Sequence, residues 1–407
     1  MRATLAQARS FNRPVRLLLV NQLTINTGFY LLMPYLAGHL SGGLGLAAWL
    51  VALVLGVRNL SQQGLFLLGG SLADRLGYKP MILSGLALRT AGFALLGLAE
   101  SLPLLLLASA LTGLAGALFN PAARAYLAVE AGERKVEAFA LFNVFYQAGI
   151  LLGPPLGLLL SGAGFRTACL VAAALFALLA VAQARALPVR RGGPAAQSMW
   201  RDWREVLGNR RFLGFALVMS GSYVLGFQVY LALPLEIARS GGGQLGVTLL
   251  FVLSGVLTIA GQVRITAWAK ARWSARQAMA RGLTVMGVAF APPALLPGSP
   301  VALAGCAALL TLGTMIVYPF EMGTITTLGG ERLVGTYYGC YSSIAGLGIA
   351  GGNVLTGLAF DARPSWAWGG LAVLGVGCAW GLSRSSRAGG RPPPGQRGSG
   401  GGGAGGA

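Results

Sequence analysis

NPAARAYLAVEAGER, residues 120–134, comes back as YPFEMGTITTLGGER, residues 318–332. Pro121 pairs with Pro319, Gly132 with Gly330 and, further on, Gly153 with Gly351, each pair 198 positions apart. In both copies a proline interrupts the lower part of an apolar run. A Gly-Glu-Arg turn follows, and then a glycine-rich apolar run. One half of the chain therefore repeats the other, and parallel repeats with one path between them are a plan used by secondary transporters.

The rest of the chain agrees with that plan. It is 55% hydrophobic and 10% charged over 407 residues, where soluble domains carry roughly a quarter charged residues. A spanning helix needs about 20 mostly apolar residues. The apolar runs predict about twelve spans: 15–38, 46–69, 79–99, 102–127, 138–161, 165–186, 212–236, 244–267, 279–297, 301–325, 335–359 and 365–383. The expected fold class is an all-α membrane protein of two pseudo-symmetric six-helix halves, 15–186 and 212–385. They are flanked by an N-terminal segment (1–14), an inter-half loop (187–211) and a disordered tail (386–407) too poor in apolar residues to fold. Within the loop, SMWRDWREVL predicts a short amphipathic helix, with Trp200, Trp203 and Leu207 on one side, suited to a membrane surface or to a simple tether.

The formal charge of +20 does not point to nucleic acid, because the basic residues sit in short gaps between apolar runs. They crowd the N-terminus, the gaps after the even-numbered spans and the C-terminus. By the positive-inside rule both termini are cytoplasmic, and the expected location is a bacterial inner membrane. Cys169, Cys306, Cys340 and Cys378 lie singly in apolar runs, without metal or redox spacing. No phosphate-binding loop, nucleophile–base set or metal cluster is present. The sequence is thus not expected to be an enzyme or to carry a cofactor or metal.

Three motifs sharpen the reading. GSLADRLGYKP, Gly70–Pro80, follows the second span. Gly70 and Gly77 permit close approach and a tight turn, Asp74 can accept N–H bonds at a helix start, and Arg75 and Lys79 offer partners to an acid. GILLGPPLG places Gly149, Gly153 and Gly157 on one face of the fifth span, where small residues admit a neighbouring helix, and Pro154 and Pro155 bend it. GFYLLMP, Gly28–Pro34, closes the first span.

Together these stretches resemble the major facilitator transporters, most closely the twelve-span drug:proton antiporters. Gly70–Pro80 is similar to the family's loop signature, with Tyr78 where a basic residue is usual. Gly149–Gly157 resembles its antiporter signature, and Gly28–Pro34 its first-span pattern. The resemblance implies that Asp74 latches the two halves in one state, with Glu130 as the acid partner of the loop. It also implies that the latch is one-sided, because the corresponding stretch around Ala271 and Arg272 lacks an acid. Two family features are missing: Ser109 stands where an arginine is usual, and the first span holds Asn21, Gln22 and Asn26 instead of a carboxylate.

Ionisable groups at membrane depth are functional candidates by default. Arg58, with Gln62 one turn on, and Arg89 lie in the second and third spans. Glu321 sits in the lower part of the tenth span, and the repeat sets Arg124 at nearly the same depth. A Glu321–Arg124 pair is expected to close a cytoplasmic gate, with Glu321 carrying a proton, and exchanging the two charges should then restore transport. The expected cavity lining is Asn21, Gln22, Asn26, Arg58, Gln62, Tyr146, Gln147, Tyr223, Gln228 and Tyr341. His39 falls in an outer loop. The expectation is proton-coupled export of small hydrophobic or amphiphilic compounds by a monomer that meets only substrate, protons and lipids. Uptake or facilitated diffusion on the same fold, or a non-transporting receptor or scaffold, are the alternatives.

Overall fold

The computed structural model describes residues 2–32, 35–36, 39–161, 164–189, 198–241, 243–330 and 332–384. The predicted tail, the middle of the inter-half loop and Pro34 of the first-span motif lie outside them. The described residues are helical, with no strand. In chain order the helices are α1 (Arg2–Arg9), α2 (Arg13–Tyr30), α3 (Ala48–Gly64), α4 (Phe66–Leu76), α5 (Tyr78–Leu98), α6 (Leu102–Ala131), α7 (Lys135–Ser161) and α8 (Phe165–Ala186). After the inter-half loop come α9 (Met199–Gly208), α10 (Arg210–Phe227), α11 (Ala232–Arg239), α12 (Gly243–Arg272), α13 (Ala275–Val288), α14 (Ala291–Leu295), α15 (Pro300–Gly329), α16 (Val334–Ala362) and α17 (Pro364–Arg384).

Nine of the described helical stretches are long and apolar enough to cross a membrane, or ten with the bent pair α3–α4. One of them, Leu102–Leu160, is 59 residues long. At about 1.5 Å per residue that is far more than one ~30 Å crossing, and the chain turns within it at Gly132–Arg134. The first span opens with α2, which carries three buried amides; residues 33–34 and 37–38 of the expected 15–38 lie outside the described residues. Three expected spans have an interrupted helix. The second bends by 47° between α3 and α4, while the seventh and ninth, interrupted after Phe227 and Val288, still run on as single spans, Arg210–Arg239 and Ala275–Leu295.

The repeat reappears in the packing. In the first half α6 lies between α5 and α3–α4, and α2 packs on α7; in the second half α15 lies between α13 and α12, and α10 packs on α16. Gly132 and Gly330 end the equivalent helices α6 and α15, both with positive φ (53° and 69°), a conformation that glycine adopts without a Cβ penalty. Pro121 and Pro319 lie inside those same helices. The halves meet chiefly along α4 with α16 and α7 with α12, and also along α7 with α15 and α6 with α16.

Candidate gate between the halves

Asp74 stands near the C-terminal end of α4, in the turn before Gly77, whose φ of 96° requires glycine. Its Oδ1 accepts the Gly335 N–H at 2.7 Å, and its Oδ2 accepts both the N–H and the hydroxyl of Thr336 at 2.7 Å each. Gly335 and Thr336 open α16, whose own N-cap residue, Leu333, supplies no capping side chain. A carboxylate from one half thus caps a helix of the other. It fills orphan N–H groups at the positive end of the helix dipole with charge-assisted hydrogen bonds.

The close approach depends on glycines. A Cβ on Gly335 would lie 2.6 Å from the Gly70 carbonyl oxygen, and one on Gly70 would overlap the Gly335 carbonyl. Residues 333–342 of α16 are all buried, whereas Leu347, Ala350, Gly351, Val354 and Leu355 further along are exposed. The halves are therefore closed against each other at the end that carries the basic loops.

The loop has partners that the sequence did not suggest. Arg75 pairs with Asp202 of α9 at 2.5 Å, and Arg332, just ahead of α16, pairs with the other oxygen of Asp202 at 2.9 Å. Arg332 also meets Glu205. Glu130 accepts from Asn12 Nδ2 at 2.9 Å, and Lys79 lies in the first turn of α5. Burial opposes the charge on Arg332, but its bonds to Asp202 and the nearby Glu205 outweigh this and raise its pKa. The helix α9 is present, but it docks on the protein through Asp202 and Val206, both buried, and through Trp203 Nε1, which donates to Ser71 Oγ at 2.7 Å. Trp200 and Leu207 remain exposed. Asp202 decides the docking: a buried carboxylate needs partners, and only arginines from both halves supply them.

The second seam also carries a charged contact. Stepping Asp74 by the 198-residue repeat leads to the end of α12, and stepping Gly335 back leads to Glu137 in the first turn of α7. There Lys270 and Glu137 form an ion pair at 2.6 Å. Here the cation, two residues short of the position equivalent to Asp74, comes from α12 and the acid from α7. As a half-exposed pair it contributes less than the buried Asp74 site.

Glu321 is 2% exposed. Its Oε1 accepts from the Tyr341 hydroxyl and lies 3.1 Å from Ser222 Oγ. Arg124 Nη1 donates to Ser342 Oγ at 3.0 Å. The expected Glu321–Arg124 ion pair does not form. The two groups instead bond adjacent residues of α16, Glu321 with Tyr341 and Arg124 with Ser342. Sequence spacing shows depth and is silent on which partner each group takes.

Among the expected lining residues, Asn21, Gln22 and Asn26 are buried within the first half. Asn26 bonds Gln22 O at 2.7 Å, and both side-chain polar atoms of Asn21 are buried without a partner. Gln228 is likewise buried, bonded to Val224 O at 2.8 Å. Arg58 bonds Gln62 Oε1 at 3.1 Å and Asn59 Oδ1 at 2.9 Å, with its guanidinium 4.4 Å from the Phe29 ring centroid. Arg89 has Phe176 for company at 5.7 Å. Tyr223 packs edge-on against Tyr341. Tyr146 shares a hydrogen bond with Tyr30, which also meets Tyr230, and Gln147 is half-buried beside it. Sequence reasoning missed Tyr30 and Tyr230, and the bond from Asn143 to Gln262 that crosses the α7–α12 seam at 2.8 Å. His39 stacks on Phe165 at 3.9 Å, and burial lowers its pKa.

The glycine face of α7 packs on α2. A Cβ on Gly149 would lie 2.6 Å from Leu23 O, one on Gly153 2.6 Å from Tyr30 Cβ, and one on Gly157 would overlap Leu31 O. Pro154 O accepts the Tyr35 hydroxyl at 3.0 Å. Gly157→Val is expected to separate α2 from α7 at a cost of about 1–3 kcal/mol. A fall of several degrees in the apparent melting temperature of the detergent-solubilised protein would report it; an unchanged value would refute the contact.

A membrane-spanning bundle of two repeated halves that close on each other at one end is the architecture of a secondary transporter. The model of the Major Facilitator Superfamily matches residues 18–353, and the chain belongs to that superfamily. It is 50% identical over 393 residues to an uncharacterised MFS-type transporter of Mycobacterium tuberculosis, covering 92% of this chain and 94% of the relative. It is 31% identical over 403 residues to the multidrug resistance protein MdtH of Yersinia pestis, covering 94% and 97%. The crystal structure of the human organic anion transporter MFSD10 (TETRAN) shares the fold, with a TM-score of 0.75 at 18% identity, covering 91% of this chain and 99% of that one. The protein is a transporter, not an enzyme.

Proposed function

We propose that this transporter exports small hydrophobic or amphiphilic compounds from the cytoplasm of a bacterium, driven by proton entry, with both termini on the cytoplasmic side. On that reading the closed end is the cytoplasmic one. The reading rests first on the buried carboxylate Glu321 beside the seam between the halves, bonded to Tyr341, next to the residue that Arg124 holds from the other half. A buried carboxylate is costly when ionised, so its protonation is coupled to what surrounds it. Likeness to a multidrug resistance protein across nearly the whole chain supports efflux, as does the glycine–proline face of α7.

The path is richer in cations than in acids. Arg58 and Arg124 bond only neutral side chains in this state, and tyrosines surround them. Substrates are accordingly neutral or anionic amphiphiles. A facilitative carrier is the second reading, favoured by amides in place of a carboxylate in α2.

Dye flux in everted vesicles separates the two. With the interior acidified, the exporter should concentrate a neutral or anionic dye inside and lose the gradient when a protonophore is added. Equilibration that ignores the pH gradient would make the protein a facilitator, and no flux over a broad panel would remove the efflux reading.

A further inference from the structure

At the basic end, on the side of the second half, α13 and α17 part to leave a groove of about 640 Å³. Arg276, Gln277 and Arg281 line it with Thr284, Val376 and Trp380. No carboxylate occurs between Glu236 and Glu321, and none follows Asp361. The two segments that build the groove therefore bring basic residues to it and no carboxylate of their own. Arg276 is positioned by its bond to the Leu382 carbonyl.

The depth of the groove is marked by aromatics. Arg281 lies 4.5 Å from the Trp273 ring centroid and Arg272 5.2 Å from that of Trp268, and the two indoles meet edge-on at 4.5 Å. Tryptophan interleaved with arginine is characteristic of the membrane–water interface, where amphipathic rings sit at headgroup level. Deeper along the same two helices Val288 and Val376 are exposed, as residues facing acyl chains are. The site thus has a cationic mouth at headgroup depth and an apolar wall leading into the bilayer.

We propose that this groove binds an anionic glycerophospholipid, its phosphate between Arg276 and Arg281 and one acyl chain along Thr284, Val376 and Trp380. Basic pockets between spans on this side of a membrane hold acidic headgroups by this combination of charge and tail burial. A free phosphate would use the mouth and leave the wall bare. The site lies away from the seam between the halves and is independent of what is transported.

Native mass spectrometry of the purified full chain, given equal phosphatidylglycerol and phosphatidylcholine, tests the proposal. The wild type should retain phosphatidylglycerol preferentially. Arg281→Gln should weaken that retention about fivefold, and Arg276→Gln with Arg281→Gln further still, while phosphatidylcholine is unaffected. Excess inorganic phosphate should not displace the lipid. Equal retention of the two lipids by the wild type, or undiminished phosphatidylglycerol on Arg281→Gln, overturns the proposal. Displacement by phosphate alone would make this an anion site and overturns it too. Arg281 is exposed, so its single variant decides the matter even if loss of the Arg276–Leu382 bond impairs folding.

Discussion

Asp74→Asn should release the closed end of the bundle and cut gradient-driven transport at least about tenfold. The carboxylate accepts three short bonds from the first turn of α16, beside a longer one, 3.4 Å, from the Tyr78 hydroxyl of its own half. Asparagine keeps one acceptor oxygen but turns an NH2 toward a donor, so at least one charge-assisted bond is lost and another N–H is left facing a donor. A bond to a charged group contributes about 1.5–3 kcal/mol, which corresponds to roughly a 10- to 150-fold shift in the population of the closed state. Spin labels on the α4–α5 turn and ahead of α16 would show the ends moving apart. If the distance distribution matches wild type, Asp74 does not hold the gate. Asp74→Glu is no rescue, because Gly70 and Gly335 bring the backbones too close for a longer side chain.

Glu321→Gln should leave the folded bundle and passive exchange of substrate intact, while accumulation driven by a pH gradient falls to the level seen with no gradient. Glutamine still accepts from Tyr341 and Ser222 but carries no titratable proton. Accumulation equal to wild type would clear Glu321 of proton coupling. Exchanging Glu321 and Arg124 is not expected to restore function. Each bonds its own neighbour in α16, so the swap would place a carboxylate against Ser342 and a guanidinium against Tyr341 without creating a pair.

Much of the gate was legible beforehand at the level of single residues. Asp74, Gly70 and Gly77 are local in meaning: a turn, a close approach and a carboxylate one helix turn from a chain reversal. Glu321 stood out because acids are rare at membrane depth. The partners were not legible. Asp74 bonds backbone N–H groups, which every residue except proline carries, so nothing in the sequence singles out Gly335 and Thr336. Asp202 looked like one charge in an amphipathic surface helix until Arg75 and Arg332 were seen to converge on it from either half. The charged contact at Lys270 and Glu137 was hidden because its acid lies on the partner helix, where a search of the loop alone does not look.

Periodicity, the 198-residue repeat and the placement of arginines by themselves determined a helical membrane protein of two like halves, because these are one-dimensional properties of a chain that must satisfy its backbone inside lipid. Which residues meet across the seam was decided only by the tertiary structure. A contact such as that between Asp74 and Thr336 joins positions 262 residues apart, and it exists only because two glycine faces let the helices close to backbone distance.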